Sequence, residues 1–293
     1  MRFGLDLLVK PVVCLLFALM FIPAYAQVRD SQLSGRMESA RKLYYNGSYY
    51  AAEKAFGELS LSLDDSQSME KYEVEAFLVL CAIATDKVNM DGLVSNFCLK
   101  YPAAPQQDRV RFALASKYFD KGEYQSALEV FRTIKPSHIY KSQRPDFDFK
   151  NAYCELRGGN YDFANGVFEK IREAPYSKYT IPSTYYLAYS HYLTKDFEKA
   201  SPLFDECFKD RRFSLLARYY AVESRFMVKD YQYVRANGPA LMNELDRDLQ
   251  INMAKIISES CYAEGDNDEA RNYLNIYRSS GAAMSRKDYY FSG

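Results

Sequence analysis

Apolar residues recur along the chain at helical spacing, in paired stretches separated by a short polar turn. One stretch, Val110-Arg111-Phe112-Ala113-Leu114-Ala115-Ser116-Lys117-Tyr118-Phe119, leads into Lys121-Gly122-Glu123, and a second follows from Tyr124. In that second stretch Tyr124, Phe131 and Ile134 stand at i, i+7 and i+10, one stripe of an α-helix. Ala115 and Ala127 predict the point of closest approach of the two helices, because small side chains let backbones come near. Gly122 accepts the positive φ that closes the first helix, and Glu123 sets a carboxylate at the start of the second, where the helix dipole favours it. The predicted unit is a helical hairpin.

The unit repeats. Asn46-Gly47-Ser48-Tyr49-Tyr50-Ala51-Ala52 up to Phe56 matches Lys121-Gly122-Glu123-Tyr124 up to Phe131, and Gly158-Gly159-Asn160-Tyr161 up to Phe168 matches both. Further copies begin at Lys195-Asp196-Phe197, Lys229-Asp230-Tyr231 and Gly265-Asp266-Asn267. The motif's alanine falls at 52, 127, 164, 200 and 270, with Val234 in the equivalent place. Self-similarity at such a period marks a stack of supersecondary units. Two units depart from the pattern: one near 69–102 lacks the Gly-x-Tyr turn, and one carries Gly238-Pro239 where most others have Phe and the last has Leu274.

With small first-helix residues at Ala40, Ala115, Ala152, Ala188 and Ser258, and second-helix pairs such as Ala127/Phe131, the chain resembles the tetratricopeptide repeat family. That family's tryptophan is absent. The resemblance implies an all-α fold, a right-handed superhelical solenoid of about seven hairpins. The units are expected at about 31–65, 69–102, 107–140, 145–178, 181–212, 215–247 and 250–281, with the start of an eighth at 286–293. The aromatic end Tyr289-Tyr290-Phe291 carries the expectation that the natural protein continues past Gly293 with more repeats or a further domain. The Phe97-Cys98-Leu99-Lys100-Tyr101-Pro102 stretch is similar to repeat junctions of exported bacterial cell-envelope members.

Residues 1–26 read as a cleavable signal peptide. Arg2 and Lys10 give a basic start, Val12 to Ile22 is apolar, and Ala24-Tyr25-Ala26 places small residues before a cut at Gln27. An apolar run of about eleven residues falls short of the roughly 20 of a membrane-spanning helix. Cys14 lies inside the run rather than after it, which argues against lipidation. An exported chain without membrane insertion is expected, in the periplasm or on the periplasmic face of the outer membrane of a diderm bacterium.

Charge narrows the partners. Lys+Arg number 38 and Asp+Glu 38, so no electrostatic footprint for nucleic acid is present. Cys81, Cys98, Cys154, Cys207 and Cys261 are odd in number, show no C-x-x-C, and each sits in an apolar helical stretch, where cysteine serves as a small buried hydrophobe. His138 and His191 have no partner at a catalytic or metal-ligating spacing, and no phosphate-binding or nucleophile motif occurs. The expectation is a non-enzyme with no cofactor and no metal.

The 27 Tyr and 19 Phe, against no Trp, are the compositional anomaly. The resemblance implies that residues three before, one after and four after the first-helix small residue line an inner, concave groove. From the third unit to the sixth those places hold Phe112, Phe119, Phe149, Tyr153, Tyr185, Tyr189, Tyr192, Tyr219 and Phe226, with Ser116, Leu156 and Glu223, and the seventh unit gives Lys255, Glu259 and Tyr262. Tyrosine joins an apolar face to a polar tip and suits a peptide-binding surface. The expected function is a scaffold that binds protein or peptide segments of the cell envelope. Packing between repeats is the other use these rings could have, and two alternatives remain: a glycan- or peptidoglycan-binding protein, or a helical accessory region of a larger protein with a catalytic domain.

Overall fold

The structure, a computed structural model, describes residues 31–63 and 68–280. The expected signal peptide at 1–26 and the eighth unit at 286–293 lie outside the described residues. No strand occurs among the described residues, and the chain divides at Ile139 into two compact units.

The first unit holds α1 (31–45), α2 (Tyr49–Ser62), α3 (Ser68–Ala84), α4 (Met90–Lys100), α5 (Gln107–Asp120) and α6 (Tyr124–Phe131), followed by a 3₁₀ turn at Pro136–His138. The second holds α7 (Arg144–Arg157), α8 (Tyr161–Glu173), α9 (Thr180–Leu193), α10 (Phe197–Asp205), α11 (Ser214–Met227), α12 (Tyr231–Met242), α13 (Arg247–Ala263) and α14 (Asn267–Ser279). Helices pair in order as hairpins, and within each unit hairpins stack on their neighbours, α2 against α3, α8 against α9, α10 against α11 and α12 against α13. The all-α fold of stacked hairpins is the one the repeat pattern predicts.

Each hairpin closes by the same backbone device. At the turn a residue enters the left-handed region, Gly122 with φ +78° for example, and the next N–H reaches back five residues, as Glu123 does to the Tyr118 carbonyl at 2.9 Å. In every hairpin but α3–α4, where Asn89 precedes the second helix, the same residue then opens the second helix. Asp196, Asp230 and Asp266 do so with a side-chain bond to the backbone N–H three residues on, satisfying one of the donors a helix start leaves orphaned.

The small residues lie where the repeat pattern predicts close approach. Ala115, Ala127, Ala152, Ala164, Ala188 and Ala200 are all 0% exposed. In the last hairpin Ser258 takes the place and donates its hydroxyl to the Ala270 carbonyl at 2.8 Å, across the helix crossing. Phe56, Phe131, Phe168 and Phe204 fill the space one turn further on and are buried. Truncating such a ring to alanine costs about 3–5 kcal/mol.

Both irregular units form hairpins. Between α3 and α4, Asp86 and Asn89 adopt positive φ in place of glycine, and the Asn89 side chain accepts from the Gly92 N–H at 3.3 Å. α12 runs through Pro239, and buried Gly238 makes room for α13: a Cβ there would meet Ile257 Cγ1 at 2.8 Å. The missing Phe is replaced by a side chain from the following hairpin.

Candidate binding face

The aromatic places divide by what they touch. Rings three before the small residue pack on the phenylalanine of their own hairpin: Phe112 lies 6.3 Å from Phe131, Phe149 6.1 Å from Phe168, and Tyr185 5.7 Å from Phe204. Phe112 and Tyr185 are buried there, and Tyr219 is buried too although its hairpin has Gly238 in place of that phenylalanine. Rings four after it cover the turn, Phe119 over Tyr124, Tyr192 over Phe197 and Phe226 over Tyr231, at 5.5, 5.6 and 6.1 Å. These three are half-buried, as are Phe149, Tyr153 and Tyr189.

A further set stacks across hairpins, two before the place seven residues ahead of the turn that Ala188 takes in α9 and that Val79 and Val222 take in α3 and α11. Phe77 lies parallel to Phe56 at 4.6 Å, Tyr186 on Phe168 at 6.3 Å and Tyr220 on Phe204 at 5.5 Å. A second-helix phenylalanine in the second unit thus sits between a ring of its own hairpin and one of the next.

This alternation of small residue, turn and stacked ring is the geometry of a known repeat. The fold is that of a tetratricopeptide-repeat protein. Solved structures similar to the chain include the apo form of RapI, 13% identical with a TM-score of 0.53 over 88% of this chain and 79% of that one. MamA of AMB-1 is 12% identical with a TM-score of 0.51, over 62% of this chain and 95% of its own. A tetratricopeptide repeat protein from Parabacteroides merdae is 13% identical, with a TM-score of 0.46 over 86% and 94% of the two chains. No family model matches the chain, and no curated protein does.

On this tetratricopeptide-repeat frame the second unit gathers the most aromatic surface. Along α9 Tyr185, Tyr189 and Tyr192 form a ladder of near-parallel rings, 6.4 Å and 6.1 Å between centroids and 3° and 13° between planes. Tyr220 of α11 closes on two of them, 5.3 Å from Tyr189 and 4.9 Å from Tyr192. One hairpin earlier, Phe149 and Tyr153 of α7 lie against Tyr186 at 6.2 and 4.7 Å.

At the end of the ladder stands Glu223. Asn252 of α13 donates through Nδ2 to Glu223 Oε1 at 3.3 Å and also to the Tyr219 hydroxyl oxygen. Burial raises the pKa of Tyr192 and of Tyr219, and the Glu223 charge and hydrogen bonding to its carboxylate add to the rise, so both tyrosines are neutral donors to it. Burial likewise pushes the Tyr220 hydroxyl up to about 12. Sequence reasoning placed Glu223 on the face but missed Tyr186, Tyr220 and Asn252. The signal for the first two was present: an aromatic two before the place seven residues ahead of the turn, at Phe77, Tyr186 and Tyr220.

The histidines do have partners, which corrects their sequence reading. His138 Nδ1 lies 2.6 Å from Asp108 Oδ2, while Arg111 holds the other oxygen of that buried carboxylate at 3.0 Å. His191 Nδ1 lies 3.6 Å from Asp196, and burial lowers its pKa. The His138 pair spans 30 residues, ties the 3₁₀ turn to the start of α5, and is invisible to local spacing. Cys81, Cys154, Cys207 and Cys261 are buried and Cys98 is half-buried, all as free thiols. Among the described residues no group of three His, Cys, Asp or Glu is placed to hold a metal ion, and no helix is long and apolar enough to cross a membrane.

Proposed function

We propose that the chain is an exported, non-catalytic scaffold that binds protein or peptide segments on its first-helix aromatic face, in the assembly or organisation of the cell envelope of a diderm bacterium. The observation that carries this is the Tyr185–Tyr189–Tyr192 ladder with Tyr220 against it. Tyr189, Tyr192 and Tyr220, half-buried and backed by buried Tyr185, stay partly open to solvent with little rotamer freedom left to lose, which suits the capture of an extended segment. Tetratricopeptide-repeat neighbours support a protein partner in general, and the leader-like residues 1–26 support export to the periplasm or the periplasmic face of the outer membrane.

The test is site-specific photocrosslinking in cells. A photoreactive phenylalanine replaces Tyr189 on the ladder or, as a control, Tyr50, an exposed second-helix residue of the other unit. Protein adducts at 189 and none at 50, in an envelope fraction, are expected. Absence of protein adducts at 189, or retention on peptidoglycan in their place, would overturn the reading.

A further inference from the structure

Ion pairing holds many carboxylates of the second unit but does not reach Glu223. Glu206 is held by Arg172 at 3.0 Å, Glu244 by Arg218 at 2.6 Å, Asp205 by Arg225 at 2.5 Å, and both Asp266 and Glu269 by Arg235 at 2.7 and 3.0 Å. Glu223 has no cation partner among the described residues. Its surroundings are neutral donors, Tyr192 from the hairpin before, Tyr219 one turn earlier on its own helix, and Asn252 from the hairpin after. Lys255, one turn beyond Asn252, is directed elsewhere, with Nζ 5.3 Å from the centre of the Tyr277 ring.

Such a carboxylate is fixed in direction but not neutralised. Three helices orient it, and tyrosine rings beside it offer the negative faces that attract cations. A half-buried charge without a counter-ion is costly, and a cation arriving from outside relieves that cost. An acidic ligand group would be repelled. A neutral one would gain a hydrogen bond and leave the charge uncompensated.

We propose that Glu223, walled by Tyr192 and Tyr219 and steadied by Asn252, receives a basic side chain, arginine or lysine, of the protein segment bound on the tyrosine ladder. The proposal rests on the reading of that face as a peptide-binding surface and adds the chemistry of its occupant. An arginine is the better fit, since its planar guanidinium pairs with a carboxylate while stacking on an aromatic ring.

Phage-displayed random peptides of roughly twelve residues, long enough to cross several hairpins, are selected against the folded protein and, in parallel, against Glu223→Gln. That substitution keeps the side chain's shape and an acceptor oxygen while removing its charge. Wild-type selections should be enriched in Arg or Lys at one aligned position, and the enrichment should vanish with Glu223→Gln. A winning peptide resynthesised with Gln at that position should bind wild type about tenfold more weakly, and Glu223→Gln should bind the two forms alike. Tyr192→Phe, which retains the charge, should keep the preference for a basic residue. Peptides that bind without any basic preference overturn the proposal and leave the peptide-binding reading standing. If no peptide is selected, both fall. Because the Arg-to-Gln comparison is read on wild type alone, the test holds even if Glu223→Gln were unstable.

Discussion

The turn residue shows how one backbone angle constrains composition. Among the described residues seven hairpins place a residue at positive φ between their helices, and in four it is glycine, at 47, 122, 159 and 265. The others are Asp86, Lys195 and Lys229, with φ of 58°, 64° and 65°. A lysine in the left-handed region brings its Cβ close to the following carbonyl oxygen, at about 1–2 kcal/mol. Lys195 and Lys229 are exposed, and neither side chain has a bond in the structure that would offset this strain. Lys229→Gly is therefore expected to stabilise the protein by about 1 kcal/mol, less whatever the more flexible unfolded chain takes back. Urea unfolding followed by circular dichroism measures it, and a midpoint lowered by the substitution would contradict this account of the turn.

Between elements, the same substitution has opposite signs in two helices. Gly166 in α8 has nothing within 4 Å of an added Cβ, so Gly166→Ala should gain the helix-propensity difference, about 0.5–1 kcal/mol. Gly238 in α12 faces Ile257 Cγ1 at 2.8 Å and Cδ1 at 3.1 Å, where packing is already complete. Overpacking costs about 1–3 kcal/mol, so Gly238→Ala should destabilise despite better helix propensity. Ile257→Ala with Gly238→Ala should cost less than the sum of the single changes, the mark of a shared space. Strictly additive melts would show that the two residues do not compete. This exchange of volume also marks the limit of what the chain reveals before folding. The hairpins were legible because the small residues, the turn and the phenylalanine of one unit lie within about twenty positions of one another. The stacking of Tyr186 on Phe168 and Tyr220 on Phe204, the filling of Gly238 by Ile257 and the pairing of Glu223 with Asn252 join neighbouring hairpins. No local periodicity records which ring faces which across that distance. The groove positions inferred from the family pattern accordingly include Phe112, Tyr185 and Tyr219, whose rings the fold buries.

At the scale of the whole molecule, buried thiols and half-buried phenols make stability depend on pH at the alkaline end. Burial is the first cause in every case. It pushes Cys81 and Cys261 up to about 11 and Cys154 and Cys207 up to about 12, from an ordinary value of 9.0. It also pushes Tyr44, Tyr118 and Tyr220 up to about 12 from 10.0. These groups release their protons more readily in the unfolded chain, so above the unfolded pKa the native state binds more protons than the unfolded one. Stability then falls as pH rises. The stabilisation is fully present below about pH 9 and is lost progressively towards pH 11–12, with the thiols contributing first and the tyrosines from about pH 10. Under reducing conditions, which prevent thiol oxidation, the urea midpoint should be nearly level from about pH 7.5 to 8.5 and decline steadily above about 9. Replacing Cys154 and Cys207 together by alanine should lower the midpoint at neutral pH, through the small cavities left behind, yet flatten its decline between about pH 9 and 10. A midpoint that stays level to pH 11, or a decline whose slope is untouched by removing the two thiols, would mean that the buried groups titrate alike in the folded and unfolded chains.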